Sequence, residues 1–254
     1  MSESNQELSI YDRTVPNYRK HYVPLESDPA IFTDLARRLG VKGYEFHDVL
    51  SLDDPDLLAF IPRPVLALIL VFPVSDKHDA QVKEQEKRRT VYAGRGEAEP
   101  VVWFAQTIQN ACGLYAILHA LSNTIGRSAI ETGSALDNLL KECVPLTPDE
   151  RVLALESSSE VETAHAAAAS QGGTAPPAAD AKVDFHYICF ARSTKNNHIY
   201  ELNGTVKGPI DLGEAVEGED LLSKEGIKVF KEYIAQVAPE GQNIGFSLLA
   251  LTAA

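Results

Sequence analysis

One cysteine and one histidine carry most of the chemistry this 254-residue chain could perform. Cys112 heads an apolar run in which Leu114, Ile117, Leu118 and Leu121 recur at helix spacing, with Ala116 and Ala120 between them. Asn110 is a candidate N-cap, which places Cys112 in the first turn of a buried helix. Free N–H groups and the positive end of the helix macrodipole gather there, and both favour a thiolate over a thiol. The thiolate is the nucleophilic form, so the position suits covalent catalysis. The bland alternative is a small buried apolar side chain, the usual fate of a lone cysteine.

Two features favour chemistry. Gln106 lies upstream of Cys112, where its side-chain amide could donate to an oxyanion. Downstream, Phe185–Phe190 and His198–Asn203 read as two strands around a polar turn. With the turn centred between Thr194 and Lys195, His186 falls opposite Asn203. Directly opposed residues in an antiparallel pair have Cβ atoms about 4.5–5.5 Å apart. An amide at Asn203 could then orient the imidazole while the imidazole acts as base on Cys112. A register slip of two residues would make Glu201, on the same face, the rival orienting group. Without a cysteine partner, His186 would read as an ordinary hydrogen-bonded strand histidine.

The remaining candidates are weaker. His119 sits about 10 Å further along the helix of Cys112 and reads as a core residue. His78 reads as exposed within a charged segment, and His165 lies in a low-complexity stretch. Cys143 shares helix spacing with Leu136, Leu139 and Leu140, so it reads as core. The Cys and His residues show no metal-ligand spacing, so neither a metal nor another cofactor is expected.

The elements that must position these groups follow from the pattern. Residues 1–20 read as a loose arm, and residues 21–254 as one domain. Asp28 and Pro29 open a helix whose apolar stripe is Ile31, Phe32, Leu35, Ala36 and Leu39, and Gly40 closes it. Tyr44–Val49 is β-like and Asp54–Leu58 a short helix. Val65–Phe72, bounded by prolines, fits a strand buried on both faces. Residues 76–100 read as a solvated helix and loop. Thr147-Pro-Asp-Glu150 is a capping box. Glu156–Lys182 is mostly Ala, Ser, Gly, Pro and Glu and reads as a long structureless loop. Gly226–Val237 is an amphipathic helix, and Ile244–Leu251 an apolar final strand.

A net charge of −13 argues against nucleic acid, which needs clustered Lys and Arg. It permits a basic protein partner and serves solubility equally well. Three cysteines, with no apolar signal segment at the start, suggest a reducing compartment. The longest apolar run is about half of what a bilayer requires. A soluble cytoplasmic protein is expected, with the nucleus open as well. Nothing in the sequence suggests a coiled coil or repeat, so a monomer is expected.

Five motifs in order, Pro24-Leu-Glu26, Ile61-Pro-Arg-Pro-Val65, Gln106-Thr-Ile-Gln-Asn-Ala-Cys-Gly113, Val183-Asp-Phe-His186 and Tyr200-Glu-Leu-Asn-Gly204, resemble the ubiquitin carboxyl-terminal hydrolases (UCH), papain-like deubiquitinating enzymes. The resemblance spans about Val23 to Ala254. It implies an α+β fold, layered α/β/α, with a central antiparallel sheet flanked by helices and a knotted backbone. The knot would run against the general rule and no sequence pattern reveals it. The resemblance further implies a thiol hydrolase cutting after the C-terminal glycine of ubiquitin. Cys112 would be the nucleophile, His186 the general base and acid, Gln106 the oxyanion donor and Asn203 the third residue. Residues 156–182 would be the family's crossover loop, limiting substrates to ubiquitin with small or unfolded adducts. Pro24, Leu25 and Glu26 match a segment that contacts ubiquitin, and Asp48 an acidic position near the ubiquitin tail.

One departure stands out, because the family motif has Asp where this chain has Asn203. A neutral amide still accepts the imidazole N–H but cannot stabilise imidazolium as a carboxylate does. Cys–His–Asn sites are nevertheless active in papain-like proteases. A weakly active or inactive ubiquitin-binding protein is therefore the alternative, and a ubiquitin-like protein the alternative partner.

Overall fold

The apolar run at Val65 forms the middle of a six-stranded sheet. The computed structural model describes residues 18–175, 177–181, 183–216, 220–237 and 245–254. In chain order its elements are β1 (Lys20–His21), α1 (Pro29–Arg38), β2 (Tyr44–Asp48), α2 (Pro55–Leu58), β3 (Val65–Pro73) and α3 (Asp76–Glu86). Then come β4 (Ile108–Gln109), α4 (Cys112–Thr124), α5 (Ala135–Cys143), α6 (Pro148–Ser157) and α7 (Ser159–Ala169). The chain finishes with β5 (Phe185–Arg192), β6 (His198–Leu202), β7 (Ile210–Glu214), α8 (Lys224–Val237) and β8 (Ser247–Ala253).

The sheet order is β2-β8-β3-β5-β6-β7, antiparallel throughout. Alternation along β3 sends Ala67, Ile69 and Val71 into one core with α4, and Leu68, Leu70 and Phe72 into another with Phe230 and Val237 of α8. That sandwich is the expected α/β/α layering.

Local signals act as their chemistry requires. Asp28 Oδ1 accepts from Ala30 N (2.7 Å) and Ile31 N (3.2 Å), and Gly40 takes φ +100° after the end of α1. Thr147 and Glu150 cap α6 reciprocally.

Four expectations need correction. Glu156–Lys182 is not structureless, because α6 continues to Ser157 and α7 occupies Ser159–Ala169. Its alanines are strong helix formers, and Val161, Ala164, His165 and Ala168 form a buried stripe of mostly small side chains that packs on α1. His165 is accordingly a core residue, with Nε2 2.9 Å from the Val23 carbonyl. His78 is half-buried, edge-on to Phe72 at 5.3 Å, because α3 lies against the end of β3. The expected loose arm falls outside the described residues up to 17, but Lys20 is paired with Ile108 in the parallel β1–β4 ladder.

The β5–β6 register also differs. Cys189 pairs with Leu202 and Arg192 with Ile199, two residues from the expected alignment. The turn decides this. Asn197 takes a left-handed φ of +63°, accepts from Arg192 Nε at 2.5 Å and donates to the Ala215 carbonyl at 3.0 Å. The reversal is thereby centred one residue later than the polar run alone suggests.

Candidate active site

Cys112 is the first residue of α4, as the periodicity requires. Asn110 does not cap that helix. Ala111 holds the cap position without a side-chain bond, while Asn110 adopts φ +59°. Its amide instead donates to the carbonyls of Ala179 (2.9 Å) and Ala181 (2.8 Å). Asn tolerates the left-handed region, and loop carbonyls need donors.

The thiol of Cys112 is buried, at 8 % exposure. Burial pushes its pKa up to about 11, against hydrogen bonds from the backbone of Tyr187, Gly113 and Cys112 itself. Burial thus works against the thiolate that the helix terminus favours. A cavity of about 380 Å³ adjoins it, lined by Pro24, Leu25, Glu26, Thr174, Phe185 and Tyr187 among others. Leu25 is pressed onto Gly113, where a Cβ would lie 3.3 Å from Leu25 Cδ1. Tyr187 Oη donates to the Leu25 carbonyl at 2.9 Å. Glu26 Oε2 accepts from Thr174 N and Thr174 Oγ1, both at 3.3 Å. The segment after α7 thus crosses in front of Cys112, held at one end by Glu26 and at the other by Asn110.

His186 is the second residue of β5, just before Tyr187. Alternation points it to the opposite side of the sheet from Tyr187, edge-on to Phe72 at 5.8 Å. It lines a cavity of about 220 Å³ with His78, Asn203 and Thr205. Its Nε2 lies 3.0 Å from Asn203 Oδ1. The same oxygen accepts from Thr205 N at 3.0 Å and Thr205 Oγ1 at 2.6 Å. A backbone N–H can only donate, so the amide is turned with its oxygen toward these groups. Nε2 therefore carries the hydrogen it gives to Asn203, and in the neutral ring Nδ1 bears the lone pair.

Asn203 and Gln106 are joined through their backbones. The Asn203 carbonyl accepts from Trp103 Nε1 at 3.1 Å, and the Gly204 carbonyl accepts from Gln106 N at 2.7 Å. A Cβ on Gly204 would meet Gln106 Cβ at 2.9 Å and the Phe104 carbonyl at 3.1 Å, so glycine is required there. The Gln106 amide donates to the Ile108 carbonyl at 3.3 Å. Behind this strip, Arg151 is fully buried and forks onto Glu99 at 2.5 and 3.1 Å. Its guanidinium also donates to the carbonyls of Trp103, Cys143 and Val144. His119 is core, accepting from Phe104 N at 3.0 Å, and burial lowers its pKa to about 3.

Glu201 is not an orienting group for the imidazole. It lies opposite Phe190 and takes a hydrogen bond from Tyr233 Oη of α8 at 3.4 Å, and burial raises its pKa to about 7. Asp48 stays exposed on β2 and does not line the Cys112 cavity; partial burial and then repulsion from Asp28 raise its pKa. Sequence reasoning missed Thr205 and the loop contacts of Asn110. A hydroxyl two residues past an Asn is a recognisable turn signal. Nothing local could name the distant carbonyls that Asn110 meets.

A cysteine heading a helix packed on β5 and a His–amide pair at the start of that strand are the groups a thiol hydrolase uses, and the two line separate cavities. Residues 22–235 match the family model "Ubiquitin carboxyl-terminal hydrolase, family 1". The chain is 36 % identical to ubiquitin carboxyl-terminal hydrolase YUH1 of Saccharomyces cerevisiae, over 90 % of its length and 94 % of that protein. It is 34 % identical to ubiquitin carboxyl-terminal hydrolase 3 of Arabidopsis thaliana, over 92 % and 94 %. In fold it is similar to the catalytic domain of Trichinella spiralis UCH37, solved bound to ubiquitin vinyl methyl ester, with a TM-score of 0.70 and 24 % identity over 93 % and 98 % of the chains. The chain belongs to the ubiquitin carboxyl-terminal hydrolases, family 1, and is a cysteine-type hydrolase of that family. Among the described residues no helix is long and apolar enough to cross a membrane.

Proposed function

We propose that this hydrolase cleaves amide, ester or thioester bonds after the C-terminal glycine of ubiquitin, from small or unfolded adducts. The observation that carries the mechanism is the 3.0 Å contact between His186 Nε2 and Asn203 Oδ1. It leaves Nδ1 as the basic nitrogen. Nδ1 takes the Cys112 proton, and the thiolate adds to the glycine carbonyl. Charge developing on the carbonyl oxygen is met by the Gln106 amide, which exchanges its bond to Ile108 for one to the oxyanion. The imidazolium returns its proton to the leaving group as the carbonyl bond to it breaks. Water, deprotonated by the same Nδ1, then cleaves the thioester and restores the thiol. A protonated thiol in the covered state means that ion-pair formation follows uncovering.

Pro24, Leu25 and Glu26 line the cavity beside Cys112 and are assigned to the ubiquitin tail; Asp48 would act outside that cavity. Residues 170–182, the part of 156–182 beyond α7, are the crossover loop over the thiol within a catalytic domain of residues 21–254. We place the work of the enzyme in the cytoplasm and nucleus. A second reading, a protein that chiefly holds ubiquitin, is favoured by the neutral Asn203 and the raised Cys112 thiol. The test is turnover of a fluorogenic C-terminal amide of ubiquitin beside Cys112→Ala. Turnover that vanishes in the variant, with ubiquitin still bound, supports the hydrolase. Binding without turnover in the native chain supports the holding protein. Turnover only with a ubiquitin-like protein would reassign the partner.

A further inference from the structure

We propose that Thr205 is a positioning residue for the imidazole, acting through Asn203 as the substitute for a carboxylate. The inference rests on the assignment of His186 and Asn203 above. An aspartate presents an oxygen to the imidazole whichever way its carboxylate turns. An asparagine has a single acceptor oxygen and can turn its NH₂ to the ring instead, which would set donor against donor or invert the tautomer. Something must hold the amide in the productive sense.

Thr205 does so twice. Its backbone N–H and its hydroxyl both reach Asn203 Oδ1, at 3.0 and 2.6 Å. The hydroxyl hydrogen is thus committed to Oδ1. The hydroxyl oxygen also lies 3.4 Å from His186 Nε2, where its lone pair faces the ring N–H. The Nε2–H group therefore points between two oxygens, the nearer on Asn203 and the farther on Thr205. Donating to the amide makes the hydroxyl oxygen a better acceptor, so the three groups reinforce one another. Asn203 is almost wholly buried, at 4 % exposure, so water does not readily replace a lost partner.

The test compares Thr205→Val and Thr205→Ser, each with Asn203 and with Asn203→Asp. Hydrolysis of the fluorogenic ubiquitin amide gives kcat and KM, and ¹⁵N imidazole NMR gives the His186 tautomer. Thr205→Val is expected to lower kcat roughly three- to tenfold, the effect of one net hydrogen bond, with KM little changed. It is also expected to replace a dominant Nε2–H tautomer with a mixture. Thr205→Ser restores both. In the Asn203→Asp background the loss on Thr205→Val shrinks, because a carboxylate needs no help in orienting. Unchanged kcat and tautomer in Thr205→Val would overturn the proposal, as would equal losses in both backgrounds. If the native chain turned nothing over, the hydrolase reading would fail, while the tautomer series would still decide the role of Thr205.

Discussion

His186 and Asn203 meet at 3.0 Å although the β5–β6 ladder ends at Leu202, one residue before Asn203. Strand pairing brings the two chains together, but loop bonds finish the placement. Trp103 holds the Asn203 carbonyl, and Thr205 turns its amide. The Trp103 bond holds the backbone of residue 203 in place through its carbonyl, whatever the charge of its side chain.

Asn203→Asp should raise turnover of the ubiquitin amide or broaden its pH range. A carboxylate at this distance favours imidazolium, so the limb of the pH–rate profile that depends on His186 should move to higher pH by about one unit. An unmoved profile would show that position 203 does not act electrostatically on His186.

Asn110→Gly should uncover the thiol. Glycine accepts the +59° φ that alanine would resist, so only the side-chain bonds to Ala179 and Ala181 are lost. Losing two hydrogen bonds of about 1 kcal/mol each raises the uncovered fraction by roughly thirtyfold. Alkylation of Cys112 by iodoacetamide should accelerate by that factor. An unchanged rate would mean that these bonds do not hold the cover.

The length of residues 170–182 should set the size of adduct released. Shortening that segment should exclude larger groups from the C-terminus of ubiquitin, and lengthening it should admit them. Cleavage of a graded series of adducts measures this, and a size limit indifferent to loop length would remove the gate.

Glu201→Gln should stabilise the protein above about pH 4.5, with the full gain above pH 7. The carboxyl is raised from its ordinary 4.5 to about 7 by burial, with Tyr233 opposing. Below pH 4.5 folded and unfolded chains both hold the proton, and the substitution is neutral. Between 4.5 and 7 only the unfolded chain releases it, so native stability falls. Above 7 the full cost applies, on the order of 3 kcal/mol at one pKa unit per 1.4 kcal/mol. Denaturant midpoints at pH 4.5 and pH 8 test this; a gain equal at both would place the effect in packing.

What could be read from the residues was whatever has a short-range cause. Asp28, Pro29 and Gly40 delimit α1 through capping and backbone geometry, and the Thr147–Glu150 box opens α6. The unbroken apolar run of β3 marks a strand buried on both faces. Helix α7 escaped notice because its burial rests on alanines, whose small side chains resemble a low-complexity loop in composition. The hairpin register depended on Asn197, a single left-handed residue among several polar neighbours. Cys112 was found from its place on α4, whereas burial, which raises its pKa, comes from chain distant in sequence and close only after folding.

On the reading proposed above, the bonds from Asn110 and Glu26 to the segment in front of Cys112 set the balance between covered and uncovered molecules. A substrate tail can occupy only the uncovered ones, so its apparent dissociation constant exceeds the intrinsic one by the reciprocal of their fraction. A partner with a broad interface can offset that difference through contacts far from the thiol, and a small electrophile or oxidant cannot. On that reading the crossing segment is a threshold that spares the sulfur from adventitious chemistry while remaining passable to a protein that grips the surface first.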